Sequence, residues 1–202
     1  MKLKVCVRKS DCDATSLREF ESGDGLTFEE GDLFGFDDTD CIVVPGNSFG
    51  IMDGTLDLDI ATRYEGVEKR VRDAIATSWH GELPVGASVV VPIPPVNGVR
   101  ERGHAKYLCY SPTMRMPTLV PKTLNAYLAC RGALVACSAY PDIETVVVPM
   151  LCVGVGKMEA SRAAHQIRCA WDSFRRSFDG PERKRWMTWD DANDAEWELW
   201  SV

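Results

Sequence analysis

Five short, mostly apolar runs, each closed by a turn signal, decide most of what this chain can become. They are residues 3–7, 41–44 before Pro45-Gly46, 88–91 before Pro92, 106–110 before Ser111-Pro112, and 145–148 before Pro149. The runs are rich in β-branched residues and too apolar for one wet face, so they read as strands covered on both sides. Longer stretches between them repeat apolar residues every three or four positions, the mark of a helix with one buried face. Leu56, Ile60, Tyr64, Val67, Val71 and Ile75 predict one long helix. Leu124, Tyr127, Leu128, Leu134 and Val135 predict a second, and Ala160, Ala163, Ala164, Ile167, Ala170, Trp171 and Phe174 a last one. Strands alternating with helices imply an α/β fold: a three-layer α/β/α sandwich around a mixed, mostly parallel central sheet.

The 202 residues suit one such domain, and 45% hydrophobic content supplies its core. The formal net charge of -7 lacks the basic footprint that long nucleic acids require, so no long nucleic-acid partner is expected. It leaves room for a small anion, because backbone amides bind phosphate without Lys or Arg. No apolar run reaches a membrane-spanning length, and Met1–Val7 is too short for a signal peptide, so a cytoplasmic or nuclear location is expected. Eight cysteines form no C-x-x-C pair, and several sit inside apolar runs, where a thiol acts as a small hydrophobe. His80, His104 and His165 share no ligand spacing, so no metal site is expected. There is no G-x-S-x-G elbow, and residues 31–35 hold neither a dinucleotide fingerprint nor a Walker loop, so no cofactor is expected.

Composition changes near Gly180. Residues 1–180 read as the domain and 181–202 as a tail carrying Trp186, Trp189, Trp197 and Trp200 among many charges. The tail either packs back with its indoles covering apolar surface, or presents them to a partner or as a lid over a ligand.

In open α/β sheets ligands sit beyond the carboxyl ends of the strands. Two loops stand out there. Residues 45–57 leave a buried strand and run into the long helix, whose start offers unpaired amides and a favourable dipole to a phosphate. Asn47 has donors and an acceptor suited to a sugar, and Asp57 suits N-capping. Residues 150–158 join another buried strand to a helix, with Gly154 and Gly156 opening the turn for a second phosphate contact. Lys157 fits a phosphate contact or a solvated helix start, and Arg115 fits a ligand contact or a structural carboxylate equally.

From Gly31 to Phe178 the chain resembles a macrodomain. Gly31-Asp32-Leu33 is similar to that family's entry motif, which implies that Asp32, with the Leu33 amide beside it, reads adenine. The stretch from Asp40 to Ser48 resembles the family's strand and turn, with Asn47 on the Asn that contacts the distal ribose. Ser48, Gly50, Gly54, Thr55 and Leu56 fall on its first phosphate loop; Cys152, Val153, Gly154, Val155 and Gly156 fall on its second. Asp57 falls on an Asp implicated in catalysis in hydrolytic members, so Asn47 and Asp57 are the expected catalytic pair. Residues 107–117 resemble a branch with a Y-x-P-T-M-R segment. The resemblance implies a site for ADP-ribose, a derivative, or an ADP-ribosylated protein.

It also implies a choice between a hydrolase acting on ADP-ribosyl groups, O-acetyl-ADP-ribose or ADP-ribose 1''-phosphate, a reader without chemistry, and an interaction protein with a degenerate site. Val153 stands where the family has Thr, Gly156 where many hydrolases carry an aromatic residue, and Val44 where the family has its first Asn. Asp53 would repel a pyrophosphate unless it points outward. Phe49 or a tail Trp is the expected stacking aromatic.

Overall fold

The computed structural model describes residues 1–95, 104–179 and 187–201. Its sheet has six strands: β1 (Lys2–Val7), β2 (Leu26–Glu30), β3 (Cys41–Asn47), β4 (Val89–Pro92), β5 (Tyr107–Met114) and β6 (Thr145–Pro149). Their order is β2-β1-β6-β3-β5-β4. All neighbours are parallel except β4, which runs antiparallel on the edge beside β5. Pro92 ends that edge strand, where a missing N–H costs the ladder least.

Strand period two divides the core. Cys41, Val43, Val146 and Val148 face one side, where they meet α3 (Asn125–Cys137), α4 (Ala160–Asp179) and a 3-10 helix (Ala14–Phe20). Ile42, Val44, Val147, Leu108 and Tyr110 face the other, against α1 (Thr55–Arg63) and α2 (Val67–Trp79). The result is the three-layer α/β/α sandwich with a mixed, mostly parallel sheet that the runs predict.

The expected long helix is two. Gly66 takes a left-handed conformation (φ 70°), which breaks the helix between Arg63 and Val67. The apolar stripe crosses the break intact: Ile60, Tyr64, Val67, Val71 and Ile75 are all buried in one cluster. In α3 the helix is as predicted but its inner face is not. Ala126, Ala129, Cys130, Ala133 and Cys137 are buried with Leu134, while Leu128 and Val135 are exposed. Small residues win there because α3 packs closely on what it covers; a Cβ on Gly132 would stand 2.5 Å from the Gly86 carbonyl in the turn before β4. Two strands run past their expected ends: β3 continues through Pro45-Gly46 and β5 through Ser111-Pro112. β2 and the 3-10 helix lack a clear apolar period and were not expected.

All eight cysteines are free, and only Cys12 is not buried. Cys41, Cys109, Cys130 and Cys137 fill the space under α3 as small apolar groups. The tail forms α5 (Trp189–Leu199), opened by a capping box in which Thr188 and Asp191 satisfy each other's backbone N–H. α5 docks on α4 through buried Leu199 and the Glu198 carbonyl, 2.8 Å from His165 Nε2. Its indoles do not cover apolar surface: Trp189 and Trp197 are nearly four-fifths exposed. Trp186 and the expected boundary at Gly180 lie outside the described residues.

Candidate functional site: a cleft across the carboxyl ends of the strands

A parallel sheet points its carboxyl ends one way, and here four of them open into one cleft of about 630 Å³. Arg8 and Asp11 enter it from the end of β1, Pro149 to Lys157 from β6, and Thr113, Met114 and Pro117 from β5. From β3 come Pro45, Gly46 and Asn47, followed by Asp53 to Asp57 at the start of α1. Both loops singled out in the sequence therefore meet: Asn47 and Gly154 line the same cavity. So do Gly54, Thr55, Leu56, Asp57, Cys152, Val155 and Gly156. Val153 packs against the core on the α3–α4 side.

The first loop is shaped by side chains. Asn47 Oδ1 accepts from the N–H groups of Phe49 (3.0 Å) and Ile51 (3.3 Å), and its Nδ2 donates to the Ile51 carbonyl at 2.7 Å. One amide thus folds residues 47–51 into a tight turn. The buried Tyr110 hydroxyl donates to the Asn47 carbonyl at 2.9 Å, and its ring fills the space a Cβ on Gly46 would need. Gly54 caps α1 in extended conformation without a side-chain bond, and Thr55 and Leu56 of the first turn line the cavity. Asp57 lies in that first turn with its carboxylate tucked under Gly54, 2.6 Å from where a Cβ would stand. Burial raises the Asp57 carboxyl above the ordinary range, and the charges of Asp53 and Glu68 push the same way.

The second loop is shaped by backbone. Cys152 (φ 66°) and Lys157 (φ 55°) hold left-handed conformations, and the Met158 N–H donates back to the Cys152 carbonyl at 3.0 Å. The Val120 N–H donates to the Gly156 carbonyl at 2.8 Å, which stitches the loop to the segment after β5. A Cβ on Gly156 would stand 2.5 Å from the Cys152 carbonyl and 2.6 Å from Val120, so only glycine fits. At Gly154 nothing among the described residues lies within 4 Å of that position; its backbone is open to the cleft. The Cys152 thiol, pushed up to about 12 by burial, stays protonated and unreactive at neutral pH.

Besides Val153, four expected site residues do not line the cavity. Ser48 is buried and its backbone joins Arg115 and Leu83. Gly50 (φ 72°) turns toward Val71, Arg72 and Ile75 of α2. Asp32 is exposed just beyond β2, accepting from the Phe34 N–H at 2.8 Å, and Leu33 is buried in the core. They sit beside the β1 end of the cleft, because the Gly31 N–H donates to the Val7 carbonyl next to Arg8. Arg115 pairs through two bonds with Glu82, at 2.7 and 3.0 Å, and stacks over Phe49. Asp53 is exposed and lines the rim. Sequence reasoning missed Arg8 and Asp11; the signal was that they follow the first apolar strand, the same rule that found the other loops. Among the described residues no group of three metal-ligating side chains stands together, and no helix is long and apolar enough to cross a membrane.

No family model matches the sequence, and no curated protein sequence matches it. Solved structures do. The macrodomain of Mycobacterium tuberculosis DarG is 22% identical with a TM-score of 0.60, covering 73% of this chain and 90% of that one. Thermosipho africanus DarTG in complex with ADP-ribose is 19% identical at 0.56, over 71% of this chain and 37% of that larger one. A variant of the Oceanobacillus iheyensis macrodomain with ADPR is 18% identical at 0.53, over 68% and 72%. At such identities what is shared is architecture, and the architecture this chain adopts is the macrodomain fold.

Proposed function

We propose that the cleft binds ADP-ribose or a derivative and that Asp57 assists hydrolysis at the distal ribose. One observation carries the binding: two glycine-containing loops from neighbouring strands, β6 and β3, line one cavity, where main-chain N–H groups of Gly54–Leu56 and Gly154–Gly156 are the groups to meet a diphosphate. The α1 start adds its dipole, and Arg8 and Lys157 add charge for a diphosphate. Structures of the same fold with ADP-ribose support the ligand. On this reading adenine lies at the β1–β2 end beside Asp32, the diphosphate spans the two loops, and the distal ribose meets Asn47. One Asn47 N–H bonds the Ile51 carbonyl, so the amide keeps a second for a sugar hydroxyl. Asp57 takes a proton from a water that attacks C1'' of the distal ribose, or the acyl or phosphoryl centre of an ester on it. The bond to the substituent breaks, the leaving oxygen or nitrogen is protonated from solvent, and the raised pKa brings Asp57 nearer to working pH.

A second reading, a reader without chemistry, rests on two observations. Asn47 Oδ1 is engaged by two N–H groups of its own turn, so it does not orient a water. Gly156 has no room for an aromatic that would press on the sugar. Calorimetry with ADP-ribose tests the binding common to both: no heat and no thermal stabilisation at millimolar ligand would overturn it. Mass spectrometry of ADP-ribosylated protein, O-acetyl-ADP-ribose and ADP-ribose 1''-phosphate then separates them. A hydrolase releases product that Asp57→Ala abolishes while ADP-ribose still binds; a reader releases none.

A further inference from the structure

Sheet order fixes which strand ends flank which part of the cleft. Three spacings separate β1 from β5 in the order β1-β6-β3-β5, about 14 Å at roughly 4.8 Å each. With adenine at the β2–β1 end, whatever the distal ribose carries emerges past β3, over the segment that follows β5. That segment is apolar at its surface. Pro117 lines the cavity, and beside it Met116 and Leu119 are 50% and 67% exposed, with Val155 at 63% across the second loop.

The segment is held in place. The Ser48 N–H donates to the Arg115 carbonyl, the Thr118 N–H to Met114 Sδ, and the Val120 N–H to the Gly156 carbonyl. Its apolar side chains are therefore displayed by a rigid frame, and clustered exposed apolar surface marks a binding region. Charges of both signs flank it: Asp53 and Asp57 line the cleft with Lys157, Arg115 is occupied by Glu82, and Lys122 is exposed further along the segment.

Resting on the reading above, we infer that the preferred ligand is an ADP-ribose conjugate whose distal ribose carries an uncharged apolar group. That group lies on the Met116–Leu119 rim. The test compares dissociation constants by calorimetry for ADP-ribose, ADP-ribose 1''-phosphate and a stable 1''-O-benzyl ADP-ribose. The benzyl conjugate should bind roughly tenfold more tightly than ADP-ribose, in line with the gain from apolar groups in apolar pockets. The phosphate should bind less tightly than the benzyl conjugate. Met116→Ser/Leu119→Ser, or Leu119→Ser alone if the pair does not fold, should erase the benzyl advantage and leave the ADP-ribose constant unchanged. A benzyl conjugate no tighter than ADP-ribose, an advantage that survives these variants, or a phosphate that binds most tightly would each overturn the inference while leaving ADP-ribose binding intact. Failure of ADP-ribose itself to bind would sink the underlying reading and the inference together.

Discussion

The two loops that wall the cleft reach similar shapes by different means. Residues 47–51 are folded by one side-chain amide, that of Asn47, with Tyr110 braced on the backbone behind it. Residues 152–158 are folded by main-chain bonds and two left-handed residues, with Gly156 pressed against its own loop. A loop built by a side chain can be undone by deleting that side chain. A loop built by backbone can be undone only by adding atoms where none fit.

The largest effect should come from adding such atoms. Gly156→Ala is expected to cost about 1–3 kcal/mol of stability or more, since the new methyl meets a carbonyl that cannot easily retreat. Gly154→Ala, two residues away in open space, should stay within about 0.5 kcal/mol. Denaturant unfolding of the two proteins would break the comparison if they came out equal.

Next is Asn47→Ala. If this amide shapes the turn, its loss leaves partners of three hydrogen bonds exposed or unpaired and lowers stability by about 1–3 kcal/mol in the absence of any ligand. An unchanged melting temperature would mean that the side chain serves the ligand alone.

Asp57 sharpens the electrostatic side. An acid whose folded pKa is raised above its unfolded value contributes stability below the unfolded pKa and loses it as pH rises through the folded one. Ionised Asp57 therefore strains the fold at neutral pH, because burial and the nearby Asp53 and Glu68 outweigh the hydrogen bonds its carboxylate accepts from the Asp57 and Leu58 N–H groups. Asp57→Asn should melt higher than the parent at pH 7, and the gap should close as pH falls through the carboxylate range. A gap that widened on acidification would reverse the assignment.

The smallest effect belongs to the brace beside the first loop. Arg115 and Glu82 are both well exposed, so solvent screens the pair and Arg115→Ala should shift the melting temperature least of all. A loss comparable to that of Asn47→Ala would show that the turn depends on the Phe49–Arg115 stack as much as on its own amide.

Much of the strand and helix content could be read from the chain because burial on two faces writes a strong pattern. The runs ending at Val7, Val44, Val91, Tyr110 and Val148 all fall on strands, with only Ser88 and Lys106 standing just ahead of theirs. The break at Gly66 was harder to foresee, since a stripe that keeps its period across two helices looks like one. The α3 face misled for a related reason: hydrophobicity marks what prefers burial, whereas the close approach of α3 to the sheet selects what is small enough to be buried. Among site residues, the glycine loops were visible because close backbone approach, as at Gly46 and Gly156, leaves a compositional trace. Arg8 left none, being one cation after a short strand.

By itself the sequence determined a layered α/β domain, its strand-end loops, and glycines where the backbone must pass close to something. Tertiary structure decided the rest. It brought the ends of β1, β3, β5 and β6 to one cleft, turned Gly50 and Ser48 away from it, and gave Asn47 work within its own turn. Local periodicity records how each segment meets the core, but which ends become neighbours depends on strand order, and strand order is settled only when the whole sheet packs.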